Sequence, residues 1–66
     1  MTIYEKITRG FEIFNNYEHH RYVAADHDRI WSGPPASEVS VKDHEELLRL
    51  DWVVDESIDR FSMWVS

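Results

Sequence analysis

Apolar residues near the start of the chain recur at helical spacing. Ile3, Ile7, Phe11, Phe14 and Tyr17 lie three or four positions apart, which places them on one helical face, while Lys6, Arg9, Glu12 and Asn16 fall on the other. Thr2, followed three residues later by Glu5, matches a capping box. Gly10 interrupts this helix at a cost of about 1 kcal/mol relative to alanine and is a candidate for close contact with a neighbouring element. The pattern predicts a helix that runs to Tyr17 or Glu18.

The pattern then shortens to strand-like segments. Residues 21–25 and 29–32 flank Asp26-His27-Asp28, a triplet that tolerates turn conformations, so they read as a β-hairpin or as one longer strand with a bulge. Gly33-Pro34-Pro35 ends the extended structure, because proline lacks a ladder donor, and a loop is expected up to Val39. Ser40 can cap a second helix whose early Asp43, Glu45 and Glu46 suit the positive end of the helix dipole. Val41, Leu47, Leu48 and Leu50 supply its expected buried side, and it ends near Leu50 or Asp51. Residues 52–54 and 60–65 read as two further strands joined through residues 55–59. In the last strand Phe61, Met63 and Val65 share one face, and Ser62 and Trp64 the other.

The order helix, hairpin, helix, hairpin predicts an α+β fold formed by residues 1–66 as a small single domain. An antiparallel sheet of about four strands carries both helices on one face. Trp31 and Trp64 are then placed on the opposite face as an apolar patch of the kind that marks interaction sites.

Composition changes this picture in two ways. A chain of 66 residues buries only roughly 60% of the surface its unfolded form exposes. With no cysteine it has neither disulfides nor thiolate zinc to compensate, so three Trp, three Tyr and three Phe must supply the bulk of the core. No apolar run approaches the roughly 20 residues needed to span a bilayer, and the opening Met1–Lys6 lacks the basic-then-apolar order of a signal peptide. A location in the host cell cytoplasm, away from membranes, is expected.

Candidate chemistry is sparse. His19-His20, Asp26-His27-Asp28 and His44 are the residues that suggest metal binding, but none sits in a zinc-protease or calcium-loop spacing. A metal held by Asp26 and Asp28 needs a third ligand such as His44, and a polar turn explains the triplet more simply. No serine lies in a nucleophile elbow, and two glycines cannot form a phosphate-cradling loop. Neither an enzyme nor a cofactor is expected. Arg21, Tyr22, Arg29 and Trp31 come nearest to a nucleic-acid-stacking set, but Asp26 and Asp28 beside them repel phosphate.

The charge is uneven. Thirteen acids against seven bases give −6, of which residues 1–33 carry −1 and residues 34–66 carry −5. Such a balance disfavours direct contact with nucleic acid or anionic membrane and favours a basic protein surface. Glu45, Glu46, Asp51, Asp55, Glu56 and Asp59 belong to the second helix and the following hairpin, whose outer edges could form one negative surface. Rows of carboxylates can imitate the phosphates of a nucleic acid strand.

The segment Ala25-Asp26-His27-Asp28-Arg29-Ile30-Trp31, the acidic capped helix, Leu50-Asp51-Trp52 and the final aromatic strand together resemble small proteins of phages and mobile elements. In compactness and acidity the chain is similar to anti-CRISPR proteins, several of which present carboxylates in place of DNA. Those proteins are not one family, so the likeness carries over no residue by position. It implies a non-enzymatic inhibitor, a monomer or small homo-oligomer, acting as a DNA mimic on a host complex with a basic nucleic-acid-binding surface. The six carboxylates above would supply the charge, with Trp31 or Trp64 as an apolar anchor. The alternative is a small regulatory module that binds a partner protein through the aromatic sheet face.

Overall fold

The computed structural model describes residues 1–19 and 21–65. Its elements run α1 (Ile3–Phe14), β1 (Val23–Ala25), β2 (Arg29–Ser32), a 3-10 turn (Ala36–Glu38), α2 (Val41–Arg49), β3 (Val53–Asp55) and β4 (Arg60–Trp64). The strands form one antiparallel sheet in the order β1-β2-β4-β3. Both helices lie on one face, where Phe14 of α1 and His44 of α2 meet the ring of Phe61 with centroids 6.0 and 5.1 Å apart. The α+β architecture with two helices over four strands is as the sequence predicts.

Local chemistry starts and stops each helix. Thr2 accepts from the Glu5 amide at 3.1 Å, and the Glu5 carboxylate accepts from the Thr2 amide at 2.8 Å, completing the capping box. Ser40 caps α2 by accepting from the Asp43 amide at 3.2 Å. α2 ends in a Schellman motif: Trp52 N–H donates to Leu47 C=O and Asp51 N–H to Leu48 C=O. The left-handed residue of that motif is Asp51, with φ 68°, whose carboxylate pairs with Lys6 of α1.

The Schellman turn delivers Trp52 into the core, where it is fully buried beside Leu47. Its indole lies on Gly10 and donates from Nε1 to Lys6 C=O at 3.1 Å, and Phe14 meets it edge-on at 5.1 Å. Gly33 does for the hairpin what Gly10 does for α1: its φ of 91° favours glycine, and a Cβ there would sit 2.6 Å from the Phe14 ring. Tyr17, beyond the end of α1, ties the two helices together by donating to Asp43 at 2.6 Å and accepting from the Ser40 amide at 3.0 Å.

Several expectations need correction. α1 ends at Phe14 rather than Tyr17, and the residue that completes its inward stripe is Ile13, while Ile3 and Phe11 sit at its margin, partly exposed. On α2, Val41 and Leu48 face solvent, and Leu47 and Leu50 carry the burial. Helical geometry decides this, because residues 41 and 48 lie on the flank turned away from the sheet. The first hairpin pairs as β1 and β2 over fewer residues than residues 21–25 suggested, and the expected loop before α2 contains a 3-10 turn.

Trp52 makes the effect of Gly10 on stability run against intrinsic propensity. Gly10→Ala gains about 1 kcal/mol of helix propensity, but its Cβ would stand 2.3 Å from Trp52 Nε1. Urea unfolding is expected to show a net loss of about 1–3 kcal/mol from this overpacking. A stabilised variant would mean that the indole does not rest on this position.

Candidate functional site

Strand alternation sorts side chains between the helix-covered face and the open one. On β4, Phe61 and Met63 point to the helices and Arg60, Ser62 and Trp64 away from them. The register aligns Trp31 with Ser62 and Arg29 with Trp64 on the same open face, with Val53 and Asp55 of β3 beyond. Trp31 and Trp64 therefore share the uncovered side of the sheet, as the sequence placed them. Trp31 is half-buried, and Trp64 remains 56% exposed.

Arg29 organises this face. Its guanidinium lies 4.9 Å from the Trp31 ring centre and 4.6 Å from that of Trp64. It donates to Ser62 Oγ at 2.9 Å and stands 3.5 Å from the Asp55 carboxylate. Each ring offers a cation about 0.5–1 kcal/mol at an exposed site and about 2 kcal/mol when desolvated. Asp55 also accepts from Trp31 Nε1 at 2.9 Å and from the Ser57 hydroxyl at 2.6 Å. These donors, Ser57 first and Trp31 next, hold the Asp55 carboxyl below the usual aspartate range, with Arg29 adding to the effect. A second stack lies on the same face, with Arg60 4.6 Å from the Tyr22 ring centre and bonded to Gly33 C=O at 3.0 Å. Of the four residues nearest to a stacking set in the sequence, Arg29, Trp31 and Tyr22 belong to this face, while Arg21 lines a cleft on the other side.

The six candidate carboxylates are dispersed by function. Asp55 belongs to the aromatic face. Asp59, with φ 54°, accepts from Ser37 N–H at 3.2 Å and Ser37 Oγ at 2.7 Å, fixing the β3–β4 turn to the 3-10 segment. Asp51 pairs with Lys6, and Glu46 lies 3.4 Å from Arg49 on its own helix. Glu45 and Glu56 are exposed and make no ion pair among the described residues. A groove of about 480 Å³ between α2 and the β3–β4 turn is lined by His44, Leu48, Glu56 and Asp59, so these two elements do adjoin.

Asp26 and Asp28 occupy the β1–β2 connection, whereas His44 lies in that groove against Phe61. Among the described residues no three His, Asp or Glu side chains are grouped to hold a metal. His19 Nδ1 is 3.5 Å from Glu38, and His20 lies outside the described residues. Among the described residues no helix is long and apolar enough to cross a membrane. No protein-family model matches the sequence, and no curated protein or solved structure shows significant similarity to it.

The central position of Arg29 was not visible from sequence, since its two aromatic partners come from strands more than thirty residues apart. Asp55 gives the site a pH signature. Because its folded pKa is depressed, its contribution to stability is complete above the unfolded value of about 4 and is lost as pH falls through the folded value. Asp55→Asn is expected to lower the melting temperature at neutral pH and to flatten its fall below about pH 4. An unchanged acid limb in that variant would remove Asp55 from this role.

Proposed function

We propose that this protein is a non-enzymatic binding module that docks on a partner protein through the sheet face opposite its helices. The observation that carries this reading is Trp64. More than half of its surface lies in water, beside Trp31 and half-exposed Val53, on a face that no other element covers. Tryptophan and arginine dominate the centres of protein interfaces. Here the arginine is already fixed between two rings and a carboxylate, so little side-chain freedom remains to be lost on association. The partner this surface suits offers an apolar pocket for Trp64 and hydrogen-bond acceptors for the nearby guanidinium groups.

A second reading, the acidic DNA mimic that inhibits a host nucleic-acid-binding complex in the manner of anti-CRISPR proteins, draws on a separate observation. Glu45 and Glu56 are unpaired and belong to elements that adjoin along one groove. In that reading they would displace nucleic acid from a basic channel, with Asp51 and Asp59 adding field.

Affinity capture from host cytoplasm with the wild-type chain, Trp64→Ala and the double variant Glu45→Lys/Glu56→Lys separates the two. Sheet-face docking predicts that Trp64→Ala loses about 30-fold or more in affinity, as hot-spot residues do, while the charge-reversed variant still binds. It also predicts a complex that survives high salt. Loss in the charge-reversed variant alone, with affinity falling by orders of magnitude from about 50 to 200 mM salt, would overturn it in favour of the mimic.

A further inference from the structure

We propose that the free edge of β1 is a self-association surface, on which a second copy of this chain adds its own β1 to make a continuous eight-stranded sheet. β1 ends the sheet on one side. Gly33 N–H donates to Tyr22 C=O at 3.1 Å and Asp26 N–H to Arg29 C=O at 2.8 Å, so residues 22, 24 and 26 face β2. By alternation Val23 and Ala25 direct their N–H and C=O groups outward. Two such edges, antiparallel about a two-fold axis at Ala24, bring Val23 opposite the second copy's Ala25 and reciprocally, and both pairs exchange ladder bonds. The axis stands perpendicular to the sheet, so all four helices remain on one side.

The occupant follows from three features. The first is charge at the ends of the strand. Arg21 precedes β1 and Asp26 and Asp28 follow it, so antiparallel pairing sets each arginine among the aspartates of the other copy. Arg21 is exposed and forms no ion pair among the described residues. The second is a cleft of about 530 Å³ between α1 and β1, lined by Thr8, Phe11, Phe14 and Val23 among others. Val23 is 64% exposed and Phe11 39%, and Tyr4, one helical heptad before Phe11, is 78% exposed on the same flank. A strand added at β1 closes the cleft and turns this flank of α1 toward its symmetry mate. The third is the distribution of the excess acid: residues 1–33 carry −1 and residues 34–66 carry −5, so contact through β1 holds the two acidic halves apart. The opposite edge, β3, contains Asp55 and runs into Glu56, and two copies of that edge would repel.

A specific interface needs roughly 600 Å² from each copy, about one seventh of the 4427 Å² surface. Three strand residues cannot supply that alone, so the flank formed by Tyr4, Thr8 and Phe11 must take part.

The full chain lacks cysteine, so Ala24→Cys introduces a single thiol. At the axis the two Cα atoms form a non-hydrogen-bonded pair about 4.5 Å apart, within the range a disulfide spans. Mild oxidation is expected to convert Ala24→Cys to a covalent dimer at least tenfold faster than Glu45→Cys. Sedimentation of the wild type should show a dimer that Arg21→Glu weakens at least tenfold, and mixing Arg21→Glu with Asp26→Arg/Asp28→Arg should restore association. A wild type that sediments as a monomer at millimolar concentration would overturn the proposal. So would Ala24→Cys crosslinking no faster than Glu45→Cys, a result that holds even if a charge-reversed variant fails to fold.

Discussion

The indole of Trp52 laid against Gly10 is the contact from which the arrangement of the other elements follows. A domain of this size has room for one large central side chain, and every layer reaches it. α1 gives it a bare backbone and the Lys6 carbonyl, Phe14 gives it an edge, and α2 delivers it through its closing turn. Phe14 then contacts Phe61 of the central strand β4 and the backbone of Gly33 at the end of β2, so one aromatic chain links helix, sheet and hairpin. Edge-on ring pairs add about 0.5–1.5 kcal/mol beyond area burial, which matters where no disulfide closes a loop.

The open face of the sheet is built on the opposite logic, with polarity drawn inward. Ser62 is fully buried there although no helix covers it, because the Arg29 side chain lies across it and bonds its hydroxyl. Arg29 Nε is buried without a hydrogen-bond partner among the described residues, a cost of about 1–3 kcal/mol for such a group. Two indole faces and the Asp55 carboxylate offset it. A cation held in this way cannot leave without exposing the desolvated carboxylate, so the two tryptophans, the arginine and the aspartate stand or fall together. That coupling gives a thin sheet a rigid outer surface.

The acidic character divides in the same spirit. Asp51 and Asp59 occupy left-handed backbone positions that glycine would ordinarily fill, and each uses its carboxylate to bind a distant element, Lys6 in one case and Ser37 in the other. Much of what reads as excess charge along the chain is therefore mortar between turns and helices. Glu45 and Glu56 are left as the members of the candidate set facing water unpaired.

The sequence by itself determined the two helices and their caps, the two hairpins, the inward set Phe61 and Met63, and the common face of Trp31 and Trp64. These depend on local rules: hydroxyl caps on free amides, proline and glycine at breaks, and a period of two in strands. Only the tertiary structure decided which apolar residues fill the core, burying Ile13 and Trp52 while leaving Val41 and Leu48 in water, because burial depends on how a helix is rotated against its neighbour. It alone decided that Asp55 serves Arg29 and Trp31, and that Asp59 serves Ser37. Those partners lie 22 to 26 residues away, and no periodicity along a chain records which strand will be its neighbour.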